Sequence, residues 1–213
     1  MSKNKEKIIL HLCADIGSDS EPYKRAGYDV RCIGKNIGVE NYHPPENIYG
    51  IIANPPCTEF SFAKSNSKYP RDMRKGMNLV QHCLRIIWEA QYELPTPLAK
   101  RTTLAFWALE NPFGLLRRYL GHPALVYSPH EYGDFYQKKT CLWGYFNAPK
   151  KNPAKEYSKD YIHTISSNGK HMKKFDHLLT KEIHPEYYGK LTRQERRSIC
   201  SERFAQAFFE VNQ

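Results

Sequence analysis

Two apolar runs in this chain stop in the same way, at an asparagine followed by proline: IIANPP over 51–56 and WALENP over 107–112. Proline fixes φ and removes a backbone donor, so neither run can continue as a strand beyond that point. Each therefore reads as a buried strand ending abruptly on a rigid turn. The first turn also carries a cysteine, in PPCTEF. In an open α/β sheet the carboxyl ends of the strands are where ligands bind, so whatever Cys57 does, it does at that edge.

The rest of the chain fits strands alternating with helices. IILHLC (8–13) is a first strand, DVRCI a second, IYGIIAN a third, TLAFWALENP a fourth and TCLWGYF a fifth. Between the first two, Ser18 and Glu21 have capping-box spacing, Pro22 suits a first helical turn and Gly27 suits a helix end. From Arg71 to Leu94 the residues Met73, Met77, Val80, Leu84, Ile87, Trp88 and Tyr92 recur at three- and four-residue steps, predicting an amphipathic helix that Pro95 and Pro97 end. A last helix is predicted over about 201–211, with Ser201 as its cap and Phe204, Phe208 and Val211 on one face. The stretch from about 147 to 190 is rich in Lys, Asn, Ser and His and reads as a loop-rich insertion. The expectation is one α/β domain over residues 1–213 with a mainly parallel sheet flanked by helices.

Composition narrows the function. No apolar run reaches the roughly 18 residues of a membrane span, and the charged start MSKNKEK leads straight into a strand, which predicts a cytoplasmic protein. Six cysteines, at Cys13, Cys32, Cys57, Cys83, Cys141 and Cys200, form no C-x-x-C pair, so neither a zinc ribbon nor a disulfide framework is expected, and no metal. A formal charge of +10 favours a polyanionic partner.

Three short stretches carry candidate chemistry. In LCADIG, the turn after the first strand, Gly17 is the sole glycine that could let backbone N–H groups approach a cofactor. Asn36 and Glu40, beyond the second strand, are candidates for ribose hydroxyls. Cys57 on its proline turn is a candidate nucleophile, with a basic site expected to lower its pKa. Glu110, at the end of an apolar strand, is a carboxyl whose pKa burial would raise, so that it could donate to a ring nitrogen. Gln137, Lys138 and Lys139 form a basic turn ahead of the last strand.

In order along the chain, these pieces resemble the cytosine-C5 DNA methyltransferases, in their compact bacteriophage-type form. PPCTEFS resembles that family's Pro-Pro-Cys-Gln-x-Phe-Ser motif with Thr58 at the glutamine position, ENP (110–112) resembles its Glu-Asn-Val, and Gln137 with Lys139 loosely matches its Gln-x-Arg-x-Arg. LCADIG keeps one glycine of the family's cofactor loop, and RRSICSERFAQAFFE resembles its closing segment. The resemblance implies a Rossmann-like S-adenosylmethionine-dependent methyltransferase fold, S-adenosylmethionine as cofactor, and DNA with a flipped cytosine as substrate, in a bacterial host cell. It further implies Cys57, Glu110 and Lys139 as catalytic residues, with Lys138 an equal candidate for the basic role. Cys13, Asp15, Gly17, Asn36, Asn54 and Pro55 would bind the cofactor. The short 147–190 segment would serve as a reduced target-recognition region.

Three other readings stay open on the sequence, one of them methylation of free deoxycytidine nucleotides, which the short 147–190 segment allows. NPPC also resembles the Asn-Pro-Pro-aromatic motif of amino-group DNA methyltransferases, in which Asn54 would bind an exocyclic nitrogen and Cys57 would only pack. The sparse glycine loop suits a non-catalytic DNA-binding relic.

Overall fold

A computed structural model describes residues 4–92, 104–134, 137–153, 185, 187 and 189–213. Most of the 147–190 insertion, and Pro95 and Pro97, lie outside the described residues.

The apolar runs become a six-stranded sheet. In chain order the elements are β1 (Ile8–Leu12), a 3-10 turn (Ser18–Ser20), α1 (Glu21–Arg25), β2 (Asp29–Ile33), β3 (Ile48–Ala53), a 3-10 turn (Phe62–Asn66) and α2 (Met73–Gln91). There follow β4 (Phe106–Pro112), α3 (Arg117–Leu120), β5 (Leu125–Tyr127), a 3-10 turn (Pro129–Tyr132), β6 (Thr140–Tyr145), α4 (Arg193–Ser198) and α5 (Glu202–Val211). The strand order is β2-β1-β3-β4-β6-β5, a Rossmann-like α/β arrangement. The first four strands pair in parallel. The sheet is mixed rather than parallel throughout, because β6 runs antiparallel to both β4 and β5. Strand order reverses between β1 and β3, and such a switch point opens a crevice at the carboxyl edge.

Alternation along the strands sends successive side chains to opposite faces. Leu10, Leu12, Ile51, Ala53 and Leu109 pack with Val80, Cys83, Ile86 and Ile87 of α2. Ile9, Ile52, Phe106 and Ala108 pack on the other face with Tyr23 of α1 and Phe204, Phe208 and Phe209 of α5. Helix α2 starts where Asp72 accepts the Lys75 N–H, a side-chain cap that satisfies one of the orphan donors of the first turn. Helix α5 starts as the sequence predicts, with the Ser201 hydroxyl accepting the Phe204 N–H. Its buried stripe is Phe204, Ala205, Phe208 and Phe209, whereas Val211 is 37% exposed; Phe209 takes the place the sequence assigned to Val211. At the start of α1, Ser18 is not the cap. It lies in the preceding 3-10 turn and accepts the Cys200 N–H instead.

Candidate active site at the carboxyl edge

Three neighbouring strands end in polar residues on one face. His11 follows Ile9 on β1, Asn54 follows Ile52 beyond β3, and Glu110 follows Ala108 on β4, so all three share the α5 face. The pairing of Ala53 with Leu109 puts Asn54 level with Glu110, and His11, paired with Ile52, lies two residues further back on the same face. The Asn54 amide joins them. Its Oδ1 lies 2.9 Å from His11 Nε2, and its Nδ2 donates to Asp19 at 3.2 Å and to Glu110 at 3.5 Å. On the far side of the imidazole, Nδ1 lies 2.8 Å from Ser20 Oγ. Beside Glu110 a cavity of about 20 Å³ is lined by Asp19, Ile52, Leu142, Cys200 and Phe204 among others, room for about one water molecule.

Burial is the dominant influence on Glu110 and pushes its carboxyl up to about 7; Lys138 and Asn54 oppose the rise and Asp19 adds to it. A carboxyl poised there can hold a proton at neutral pH and give it up. Burial pushes the Cys57 thiol up as well, and Glu110 pushes in the same direction, against Lys138 and Arg197. The lowered thiol expected from a basic site is thus reversed: two cations are in range, but desolvation and the neighbouring carboxylate outweigh them. The two groups are linked. With the proton on Glu110, the repulsion opposing a Cys57 thiolate is gone.

The loop carrying Cys57 is held tightly. The Cys57 carbonyl accepts the N–H groups of Phe60 and Ser61. Phe60 is fully buried, and its carbonyl accepts the Leu115 N–H at 2.8 Å. Two glycines permit that approach: a Cβ on Gly114 would meet the Phe60 carbonyl oxygen at 2.4 Å, and one on Gly76 would meet the Glu59 Cβ at 2.9 Å. Glu59 binds Lys64 at 2.6 Å and accepts the Asp72 N–H, while Arg71 donates to the Glu59 and Ser61 carbonyls. Glu59 is therefore part of the scaffold.

The other sequence-expected residues divide. The carbonyl of Pro55, itself buried, accepts from Asn111 at 2.9 Å. Asp15 binds both the backbone N–H and the ammonium of Lys35. Burial raises its carboxyl, but Lys35 outweighs that and holds it below the usual range. Gly17 takes φ +77°, and Cys13, at the end of β1, takes φ +56°, a left-handed conformation uncommon outside glycine. The Cys13 sulfur turns inward, 3.7 Å from Cys83. Asn36 is exposed on the turn after β2. Lys139 lies with its ammonium 4.0 Å from the Phe113 ring centroid, while it is Lys138 whose charge acts on both Glu110 and Cys57. His11, Ser20, Asp19, Cys200 and Arg197 join the site without having been singled out by the sequence.

Together these features define a Rossmann-like α/β protein whose switch point gathers a thiol, a raised carboxyl and a buried hydrogen-bond chain. No protein-family model matches the chain, and no curated protein matches it. Among solved structures it is similar to a presumed DNA modification methyltransferase encoded within a prophage (E. coli), at 17% identity and a TM-score of 0.43. That similarity covers 78% of this chain and 51% of the other, so the chain spans about half the length of that protein.

Proposed function

We propose that the chain transfers a methyl group from S-adenosylmethionine to carbon 5 of cytosine in DNA, through a covalent bond to Cys57. The observation that carries this reading is the pairing at one sheet edge of a thiol with a buried carboxyl whose pKa is pushed up to about 7. Carbon 5 of cytosine is a weak nucleophile. Attack of the Cys57 thiolate on carbon 6 makes the ring enamine-like, and a proton from Glu110 to nitrogen 3 neutralises the charge that develops. When bound, S-adenosylmethionine would supply the electrophilic methyl group. Loss of the carbon-5 proton to a base then expels Cys57. Lys138 and Arg197 favour the thiolate, and the formal charge of +10 suits a DNA partner. A help of the Glu110 kind contributes about 10²–10⁴-fold.

The residues at the switch point fit such a cofactor in the chemistry of their donors. Asp19 sets a carboxyl beside Asn54, which suits a cationic sulfonium, and the turn from Cys13 to Gly17 takes left-handed backbone at both ends. Asp15 and Gly17 are the residues that would hold it; the Asn54 amide is already engaged by His11, Asp19 and Glu110. The amino-group reading is weaker: Cys57 stands where that motif has a stacking aromatic, and Glu110 in ENP would have no role in it.

Duplex DNA carrying 5-fluorocytosine, incubated with the protein and S-adenosylmethionine, tests the reading. A denaturant-resistant protein–DNA species is expected, and Cys57→Ala abolishes it. No adduct, together with methylation surviving Cys57→Ala, overturns the covalent route. DNA binding without adduct or product leaves a non-catalytic DNA binder.

A further inference from the structure

Histidine in the middle of a core strand is costly unless its ring nitrogens are satisfied. His11, flanked by Leu10 and Leu12, is 2% exposed, and both nitrogens have partners. An asparagine amide fits density or geometry either way round, and its neighbours decide the orientation. Here two carboxyls, Asp19 and Glu110, face one end of the Asn54 amide, so that end is the NH₂ and the other is Oδ1. Oδ1 can only accept, so His11 Nε2, 2.9 Å away, carries the proton. Burial holds the imidazole pKa below its ordinary value, so Nδ1 is a bare acceptor 2.8 Å from Ser20 Oγ, whose one hydroxyl proton is shared with the Gly17 carbonyl at 3.1 Å. From His11 onward the polarity is fixed: His11 donates to Asn54, and Asn54 to Asp19 and Glu110.

We propose that His11 is a positioning residue for Glu110: its Nε2–H locks the Asn54 amide with the NH₂ toward the carboxyls and so fixes the orientation and proton affinity of Glu110. The role of Glu110 as proton donor rests on the function proposed above; the lock itself does not. Without the lock the amide is free to turn, which would present Oδ1 to two carboxyls and remove the N–H that stabilises ionised Glu110. The other groups acting on or feeling Glu110 are Asp19 from the turn after β1, Lys138 ahead of β6, Cys141 on β6, Cys57 after β3 and Cys200 ahead of α5. None of them replaces that donor.

The test compares His11→Leu, which removes the donor, with His11→Gln, which can restore an N–H near the Nε2 position. The first readout is the rate of Cys57 alkylation by iodoacetamide across pH, without DNA or S-adenosylmethionine, scored on the Cys57 peptide by mass spectrometry. Because Cys57 feels the Glu110 charge, its profile reports the Glu110 proton. In His11→Leu, Glu110 keeps its proton to higher pH, so the inflection that Glu110 ionisation places on the Cys57 profile near pH 7 moves up. The second readout is single-turnover methyl transfer, expected to fall about 10–100-fold, as for lost outer-shell partners elsewhere, with DNA affinity unchanged. His11→Gln recovers both. Should His11→Leu fail to fold, Ser20→Ala removes the polar partner of the other ring nitrogen and moves the Glu110 inflection in the same direction by less. An unmoved Glu110 inflection in folded His11→Leu overturns the proposal; so does a loss of rate and melting temperature together that His11→Gln does not relieve. A wild-type protein that forms no adduct and no product overturns the methyl-transfer reading instead, while the alkylation profile still decides the lock.

Discussion

The two Asn-Pro strand ends share a dipeptide and do opposite work. Asn54 faces the α5 side of the sheet, where its amide bridges His11, Asp19 and Glu110. Asn111 sits one strand over on the α2 side, fully buried, with its Nδ2 on the Pro55 carbonyl and its Oδ1 without a partner. Strand parity makes the difference: beyond β3 the asparagine itself lands on the polar face, whereas on β4 the preceding glutamate does. One face of the same edge is thus equipped for proton traffic, and the other ties the Cys57 loop to the core.

Substitutions on the two faces should separate chemistry from stability. The largest effect is expected from Glu110→Gln, which keeps the shape but removes the proton: single-turnover transfer falls about 10²–10⁴-fold. On the opposite face, Leu109→Ala should cost about 2–5 kcal/mol of stability by urea unfolding and leave the pH profile of Cys57 alkylation in place; a moved profile would break the separation of faces. Glu110→Gln also has a stability signature. Glu110 holds its proton to about pH 7, while its ordinary value is 4.5. The folded state is therefore favoured below that window and loses stability as pH climbs through it. By pH 8 the accumulated cost is about 3 kcal/mol, so the variant should melt higher than wild type at pH 8 and equal it near pH 4. Asn111→Ala should cost about 1–3 kcal/mol by stranding the Pro55 carbonyl. The smallest effect is expected from Lys139→Ala: below about 1 kcal/mol for a cation over a ring, with adduct formation unchanged. Lys138→Ala, by contrast, should raise the Cys57 alkylation midpoint.

Much of this was legible in the sequence. Strands β1 to β4 and β6 announce themselves as apolar runs, and both Asn-Pro ends mark the edge where Cys57 and Glu110 lie. Strand β5, three residues long, is too short to show a period and exists by pairing with β6. The antiparallel half of the sheet was hidden for the same reason. His11 was visible but read only as part of a run; the usable signal was a polar residue between two leucines at a core-facing position. Nothing local distinguishes Lys138 from Lys139, because which of two adjacent lysines faces the site depends on how the chain enters β6. Asp19, Cys200 and Arg197 reach the site through tertiary folding, and no spacing along the chain encodes that.

The paired glycines at 76 and 114 have a consequence for timing. They let the segment around Phe60 seat itself during folding, so the resting place of the Cys57 sulfur is settled before any ligand arrives. The freedom that a swinging arm would surrender at each encounter has already been given up once, when the chain collapsed. Under the proposed methyl transfer, movement in the encounter then falls to the incoming base, which must leave its stack and come to a stationary target.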